Sequence, residues 1–160
     1  MTEKAQAGGF LFMADRTGRV LLLKRSKFCD SPHTWSIPGG GFKPDTDDTI
    51  FETAKRETFE EIGLTVENTA SKVFKIYEHA SPDLVFTTYM ALCEDEFVPR
   101  LNHEHTGYRW VNLVDLPSPL HTGMLPMIRN TSPLLANLMK VLNVKKDLPH
   151  RNRRRTRRGH

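Results

Sequence analysis

The sequence predicts one domain of mixed α and β structure. Short apolar runs of strand length, such as Val20 to Leu23, recur between turn residues. One longer segment, from about Asp47 to Ile62, instead carries apolar residues at helical spacing. The chain has 160 residues, enough for one sizeable core and not comfortably enough for two. Strands interspersed with a few helices indicate the α/β or α+β class, in a domain spanning residues 1–143.

Gly8 to Met13 and Val20 to Leu23 read as strands separated by the turn Ala14-Asp15-Arg16-Thr17-Gly18. After a polar stretch come Trp35-Ser36-Ile37, Pro38 and the glycines Gly39, Gly40 and Gly41, where backbone can approach a ligand closely. The helix that follows has Thr46 and Asp47 as candidate N-caps and Gly63 as its stop. Phe51, Ala54, Thr58 and Ile62 form its apolar stripe, while Glu57, Glu60 and Glu61 gather on another face beside Arg56. Val73 to Tyr77 and Leu84 to Leu92 read as strands joined by Ala80-Ser81-Pro82-Asp83, and Tyr108 to Val111 as a short strand. Leu113 to Leu116, Met124 to Ile128 and Leu134 to Leu142 read as short helices.

The formal net charge of +4 is unevenly spread. Residues 145–160 hold eight Lys or Arg and a single acid, Asp147, leaving 15 basic and 18 acidic residues in the body. Residues 144–160 therefore read as a basic tail too poor in apolar residues to fold alone. No apolar run is long enough to span a bilayer, and Met1 to Ala7 shows no secretory pattern. Cys29 and Cys93 make no CxxC pair, which fits a reduced, cytoplasmic setting.

Three glutamates within five residues on one helical face repel one another unless a counter-charge is present. Carboxylate and carbonyl oxygens are the ligands that Mg²⁺ or Mn²⁺ prefers, so a divalent ion would relieve that repulsion. A solvated acidic surface would account for the charges, but not for the glycine run upstream or the arginine among the acids.

The segment Gly40-x7-Asp48-x7-Arg56-Glu57-Thr58-Phe59-Glu60-Glu61-Ile62-Gly63-Leu64 resembles the Nudix box, G-x5-E-x7-R-E-U-x-E-E-x-G-U. Trp35-Ser36-Ile37-Pro38-Gly39-Gly40 matches the usual entry to that box. The first spacer is two residues longer, Asp48 stands in place of the first glutamate, and Thr58 stands at a usually apolar position. The likeness extends from roughly Ala5 to Ile128 and is strongest in the box. It implies an α/β/α sandwich with a mixed β-sheet and a loop-helix-loop catalytic motif.

The resemblance also implies a site. Glu57, Glu60 and Glu61, with the Gly40 carbonyl, would hold Mg²⁺ or Mn²⁺, and Arg56 would orient the glutamates through its planar fork. Glu60, Glu61 and Arg56 would thereby be catalytic, joined by Glu104, which precedes the late strand, as base or additional ligand. The flanking His103 and His105 form an H-x-H that is either solvated or metal-binding. From their places in the sequence, Arg25 at a strand end either reaches phosphate or is simply solvated, and Phe10 and Tyr77 either stack on a base or pack in the core. Lys24, Phe12, Phe86 and Trp110 are further candidates.

The implied activity is metal-dependent hydrolysis of a pyrophosphate bond in a nucleoside diphosphate linked to another moiety. ADP-ribose, dinucleoside polyphosphates and modified nucleotides all belong to that class. The arginines from Arg151 to Arg158 raise an alternative, pyrophosphohydrolysis at RNA 5′ ends, with the tail on the phosphate backbone. A non-catalytic nucleotide-binding module is the second alternative.

Overall fold

The computed structural model describes residues 3–146. Seven strands form one mixed sheet: β1 (Ala5–Ala14), β2 (Val20–Arg25), β3 (Trp35–Ser36), β4 (Gly39–Gly41), β5 (Lys72–Ala80), β6 (Leu84–Cys93) and β7 (His105–Val111). The helices are α1 (Ile50–Ile62), the single turn α2 (Val66–Thr69) and α3 (Met124–Lys146). Strand β1 pairs in parallel with β6 along its whole length and antiparallel with β4, while β2 pairs antiparallel with β7 and β3.

Residues Phe10 to Ala14 are all buried, as a central strand covered on both faces must be. Side chains alternate between two cores. Leu11, Met13, Leu22, Ile37 and Met90 pack with Met124, Met127 and Leu135 of α3. Phe10, Phe12, Leu21 and Leu23 pack on the opposite side with Ala54 and Ile62 of α1. The result is the expected α/β/α sandwich. Each fully buried Phe, Leu or Met contributes about 2 kcal/mol of apolar burial, so the two layers fix the sheet that carries the site.

Helix α1 begins at Ile50 rather than near Asp47. Its N-cap is Thr49, whose hydroxyl accepts from the Glu52 amide at 3.1 Å. At the other end Gly63 adopts φ 71°, and its amide reaches the Phe59 carbonyl, which stops the helix where the sequence placed the stop.

The two short C-terminal helices are one helix, α3, which runs through Pro133 and continues past the predicted boundary at residue 143. A proline there removes one intrahelical donor. The hydroxyls of Thr131 and Ser132 donate to the carbonyls of Met127 and Ile128, both at 2.7 Å, adding partners in the turn before the proline. Leu113 to Leu116 form a turn rather than a helix, with Pro117 and Pro119 following. The glycine run forms the short strand β4. Residues 147–160, including the arginines from Arg151 to Arg158, lie outside the described residues.

Candidate metal centre and substrate cavity

Glu57 and Glu61 lie one turn apart on α1, and Glu104 approaches from the loop before β7. Each can offer a carboxylate oxygen within 4.8 Å of the others. The Glu104 loop is tied down at its backbone: the Glu104 carbonyl accepts from the Ser26 amide at 2.8 Å and from Cys29 Sγ at 3.3 Å. Glu104, expected as base or additional ligand, is thus brought into the group from a distant part of the chain.

The glycine strand is fitted against these acids. A Cβ on Gly40 would sit 2.4 Å from Glu57 Cδ, so a side chain at this position would displace the carboxylate. The Gly39 amide donates to Glu61 Oε2 at 2.7 Å. Gly39 was not singled out by sequence as a partner of the acids.

Burial dominates the electrostatics here. It raises the pKa of the Glu61 carboxyl to about 9, reinforced by the charges of Glu57 and Glu104 and opposed by the Gly39 amide. Burial also raises Glu57, which Arg56 opposes and Glu60 and Glu104 reinforce. Buried carboxylates facing one another form an oxygen donor set that Arg56 balances only in part, and a divalent ion would supply the remaining positive charge. The chemistry of the three acids and the space kept by Gly40 both fit such an ion.

Glu60 stands apart from the trio. Its side chain is exposed, and Arg56 Nη1 donates to its carboxylate at 3.4 Å. Arg56 does join the acids together, with Nη1 donating to Glu57 Oε1 at 2.9 Å and Nη2 donating to the Gly41 carbonyl at 3.0 Å.

The acid opposite Arg56 is Asp47, not Asp48. Arg56 Nε and Nη2 donate to the two oxygens of Asp47, each at 2.9 Å, while Asp48 is exposed. Asp47 also accepts from the Lys43 amide at 3.0 Å and from Thr53 Oγ1 at 2.9 Å. The Arg56 guanidinium holds the Asp47 carboxyl well below the usual carboxylate range. Aligned on this pair, the motif reads Gly40-x6-Asp47-x8-Arg56.

His103 and His105 part company. His103 is exposed beside Phe28, at a ring separation of 6.4 Å, whereas His105 is buried with Nδ1 3.8 Å from Glu61 Oε1. Burial, with the charge of Arg25, lowers the His105 pKa to about 4, so its ring is neutral near pH 7. The two rings do not converge on one ion.

A cavity of about 370 Å³ opens between the sheet and the start of α3, within the range of ligand pockets. Tyr77, Phe86, Ile37 and Met124 supply its apolar wall, and Arg25, His79 and His121 its polar edge. Three of the substrate candidates read from the sequence, Arg25, Tyr77 and Phe86, therefore line it. Arg25 also belongs electrostatically to the acid group, since its charge acts on Glu61. Its guanidinium is braced by Asp30, with Nη2 to Oδ1 at 2.7 Å.

Phe10 does not line the cavity. It is fully buried on the α1 side, packed against Phe12, Phe51 and Tyr89, because its position in β1 directs it away from the α3 face. Phe12 and Trp110 likewise belong to that packing, and Trp110 Nε1 donates to the Phe97 carbonyl at 3.0 Å. Lys24 lies over the Trp35 ring at 6.0 Å rather than at the cavity. His79 and His121 went unnoticed in the sequence, where nothing distinguishes them from solvated histidines.

A family model described as the NUDIX domain matches residues 4–131. A Mycobacterium tuberculosis protein with the provisional name 8-oxo-dGTP diphosphatase 3 is 34% identical over 129 residues, covering 73% of this chain and 57% of that protein. The chain thus spans little more than half the length of the curated relatives it matches. Among solved structures, the NUDIX domain of Shewanella oneidensis NrtR complexed with ADP ribose is similar at TM-score 0.68 and 19% identity, covering 84% of this chain and 90% of that one. A C. elegans Ap4A hydrolase binary complex is similar at TM-score 0.63 and 24% identity, covering 83% and 98%. At these identities the two structures speak to the fold.

Proposed function

The chain belongs to the NUDIX domain family, and we propose that it catalyses metal-dependent hydrolysis of a pyrophosphate bond in a nucleoside diphosphate derivative. The observation that carries this reading is the convergence of Glu57, Glu61 and Glu104 within 4.8 Å. In it, these three hold the ion, Gly40 keeps the space beside Glu57 open, and Glu60 adds negative charge at the exposed edge. A divalent ion bound there supplies charge neutralisation for the phosphates and a more acidic water.

The remaining work falls to the chain's own groups. Arg56 orients Glu57 and is itself fixed by Asp47. Arg25, which lines the cavity and whose charge acts on Glu61, would bind phosphate. The apolar wall with Tyr77 and Phe86 takes the base and excludes water from one side. The water oxygen bonds to phosphorus and gives up a proton to solvent as the bond to the bridging oxygen breaks, leaving phosphate on each product.

The substrate class spans ADP-ribose, dinucleoside polyphosphates and modified nucleoside triphosphates, the kinds of molecule named for the relatives. A panel of these with Mg²⁺ or Mn²⁺, with products identified and ¹⁸O-water used to locate cleavage, tests the proposal. Turnover of at least one is expected; none with either ion overturns it. The retained glutamates argue against a purely binding role.

A second reading, hydrolysis at RNA 5′ ends, rests on the six arginines between Arg151 and Arg158. Such a run binds phosphate backbones with steep salt dependence. Removing residues 147–160 should weaken RNA affinity and flatten its salt slope; unchanged affinity ends that reading.

A further inference from the structure

His105 is the buried polar group that the proposed chemistry leaves unexplained. Its side chain is 1% exposed, yet neither ring nitrogen has a hydrogen-bond partner among the described residues. A buried donor or acceptor left unpaired is costly, so a ring with two such atoms needs a reason to be polar. The polar atom facing it is Glu61 Oε1, 3.8 Å from Nδ1. The other oxygen, Glu61 Oε2, is already held by the Gly39 amide at 2.7 Å.

The Gly39 amide and the His105 ring therefore bracket the Glu61 carboxyl, and the ring nitrogen stands just beyond bonding distance. Functional hydrogen bonds are often long before a site is loaded and tighten afterwards. His105 and Glu104 are neighbours in sequence, which places the ring on the same anchored segment as the third acid.

We infer that His105 is a positioning residue, donating from Nδ1 to Glu61 when the site holds its ion and thereby fixing the plane of that carboxylate. This rests on the metal-site reading above. Groups that hold metal-binding side chains in place commonly govern affinity by 10–100-fold.

The test is Mn²⁺ binding by the full chain, followed by electron paramagnetic resonance of the free ion. Three variants divide the alternatives. In His105→Asn the amide nitrogen occupies the Nδ1 position, in His105→Gln it reaches towards Nε2, and in His105→Leu no donor remains. Leu and Gln are expected to weaken Mn²⁺ binding by about 10-fold or more, while Asn stays within about threefold of wild type. The metal-free Leu variant should melt no lower than wild type, because in that state the ring has no partner to lose. Under substrate saturation, kcat should follow occupancy and be restored in the Leu variant by excess Mn²⁺. Wild-type affinity in the Leu variant, or a loss in Asn equal to that in Leu, overturns the inference alone. A wild-type protein that binds no Mn²⁺ overturns the metal-site reading, and this inference with it.

Discussion

Arg56 and Asp47 form a two-pronged ion pair, with Nε to Oδ1 and Nη2 to Oδ2 both at 2.9 Å, in which the carboxylate is all but fully buried. The same guanidinium reaches Glu57 and Glu60, so the pair anchors the acid face of α1 to the loop before it. Removing the Asp47 charge takes away the two-pronged partner of Arg56 and leaves Glu57 and Glu60 to balance it only in part, which costs stability. Asp47→Asn should accordingly unfold at markedly lower denaturant and lose activity, while Asp48→Asn, at an exposed site, should do neither. Equal effects from the two variants would sink the assignment of Asp47.

The Asp47 carboxyl also sets an acid limit. Its pKa in the fold is depressed by Arg56, so its stabilisation is present above the unfolded value and is lost as pH falls towards the folded one. Wild-type stability should fall below about pH 4, and the fall should be shallower in Asp47→Asn. Parallel pH–stability curves would contradict this.

Much of this was legible in the sequence, and the failures have physical causes. The helix, its glycine stop and the acid face followed from spacing, because α1 packs by the period that its apolar residues encode. The neighbouring acids Asp47 and Asp48 were ambiguous, since burial in a loop has no period; only Thr53 and the Lys43 amide select the first. Phe10 looked like a stacking residue because an aromatic in a strand carries no label for its face, and the two cores alternate along β1. Two short helices were read where α3 is continuous because proline normally breaks the pattern. The cavity depends on α3 meeting β5 and β6 across the chain, so His79 and His121 had no local signature.

Tyr77 and Phe10 separate substrate binding from folding. Tyr77→Ala removes a ring from the cavity wall and should raise KM for nucleotide substrates about 5–30-fold, with kcat nearly unchanged. Phe10→Ala should instead cost about 3–5 kcal/mol of stability, because the fully buried ring leaves a hole. Steady-state kinetics and denaturant titration on both variants check the contrast. An unaltered KM in Tyr77→Ala would remove that ring from the binding site.

Gly40 and Gly41 offer a sharper test, since they are neighbours with opposite surroundings. A Cβ on Gly40 would meet the Glu57 carboxylate at 2.4–2.7 Å, whereas on Gly41 it would meet nothing within 4 Å. Gly40→Ala should therefore cut activity and Mn²⁺ affinity by about 10-fold or more, the scale expected when a metal-binding group is displaced. Gly41→Ala should be close to wild type. Full activity in Gly40→Ala would mean that Glu57 need not occupy its observed place.

Glu61 should behave as a residue that destabilises the metal-free fold and is stabilised by its ion. Burial raises its pKa to about 9, so folding favours the protonated form, and stability is lost as pH rises from the ordinary carboxylate value towards 9. Metal-free wild type should therefore lose stability over that window, and Glu61→Gln, which cannot ionise, should show a flatter profile. Added Mg²⁺ or Mn²⁺ should raise the Tm of wild type by mass action and leave that of the Gln variant little changed. Turnover in Mg²⁺ should drop by several orders of magnitude in the same variant. A variant that keeps both its activity and its metal-dependent Tm shift would show that the ion sits elsewhere.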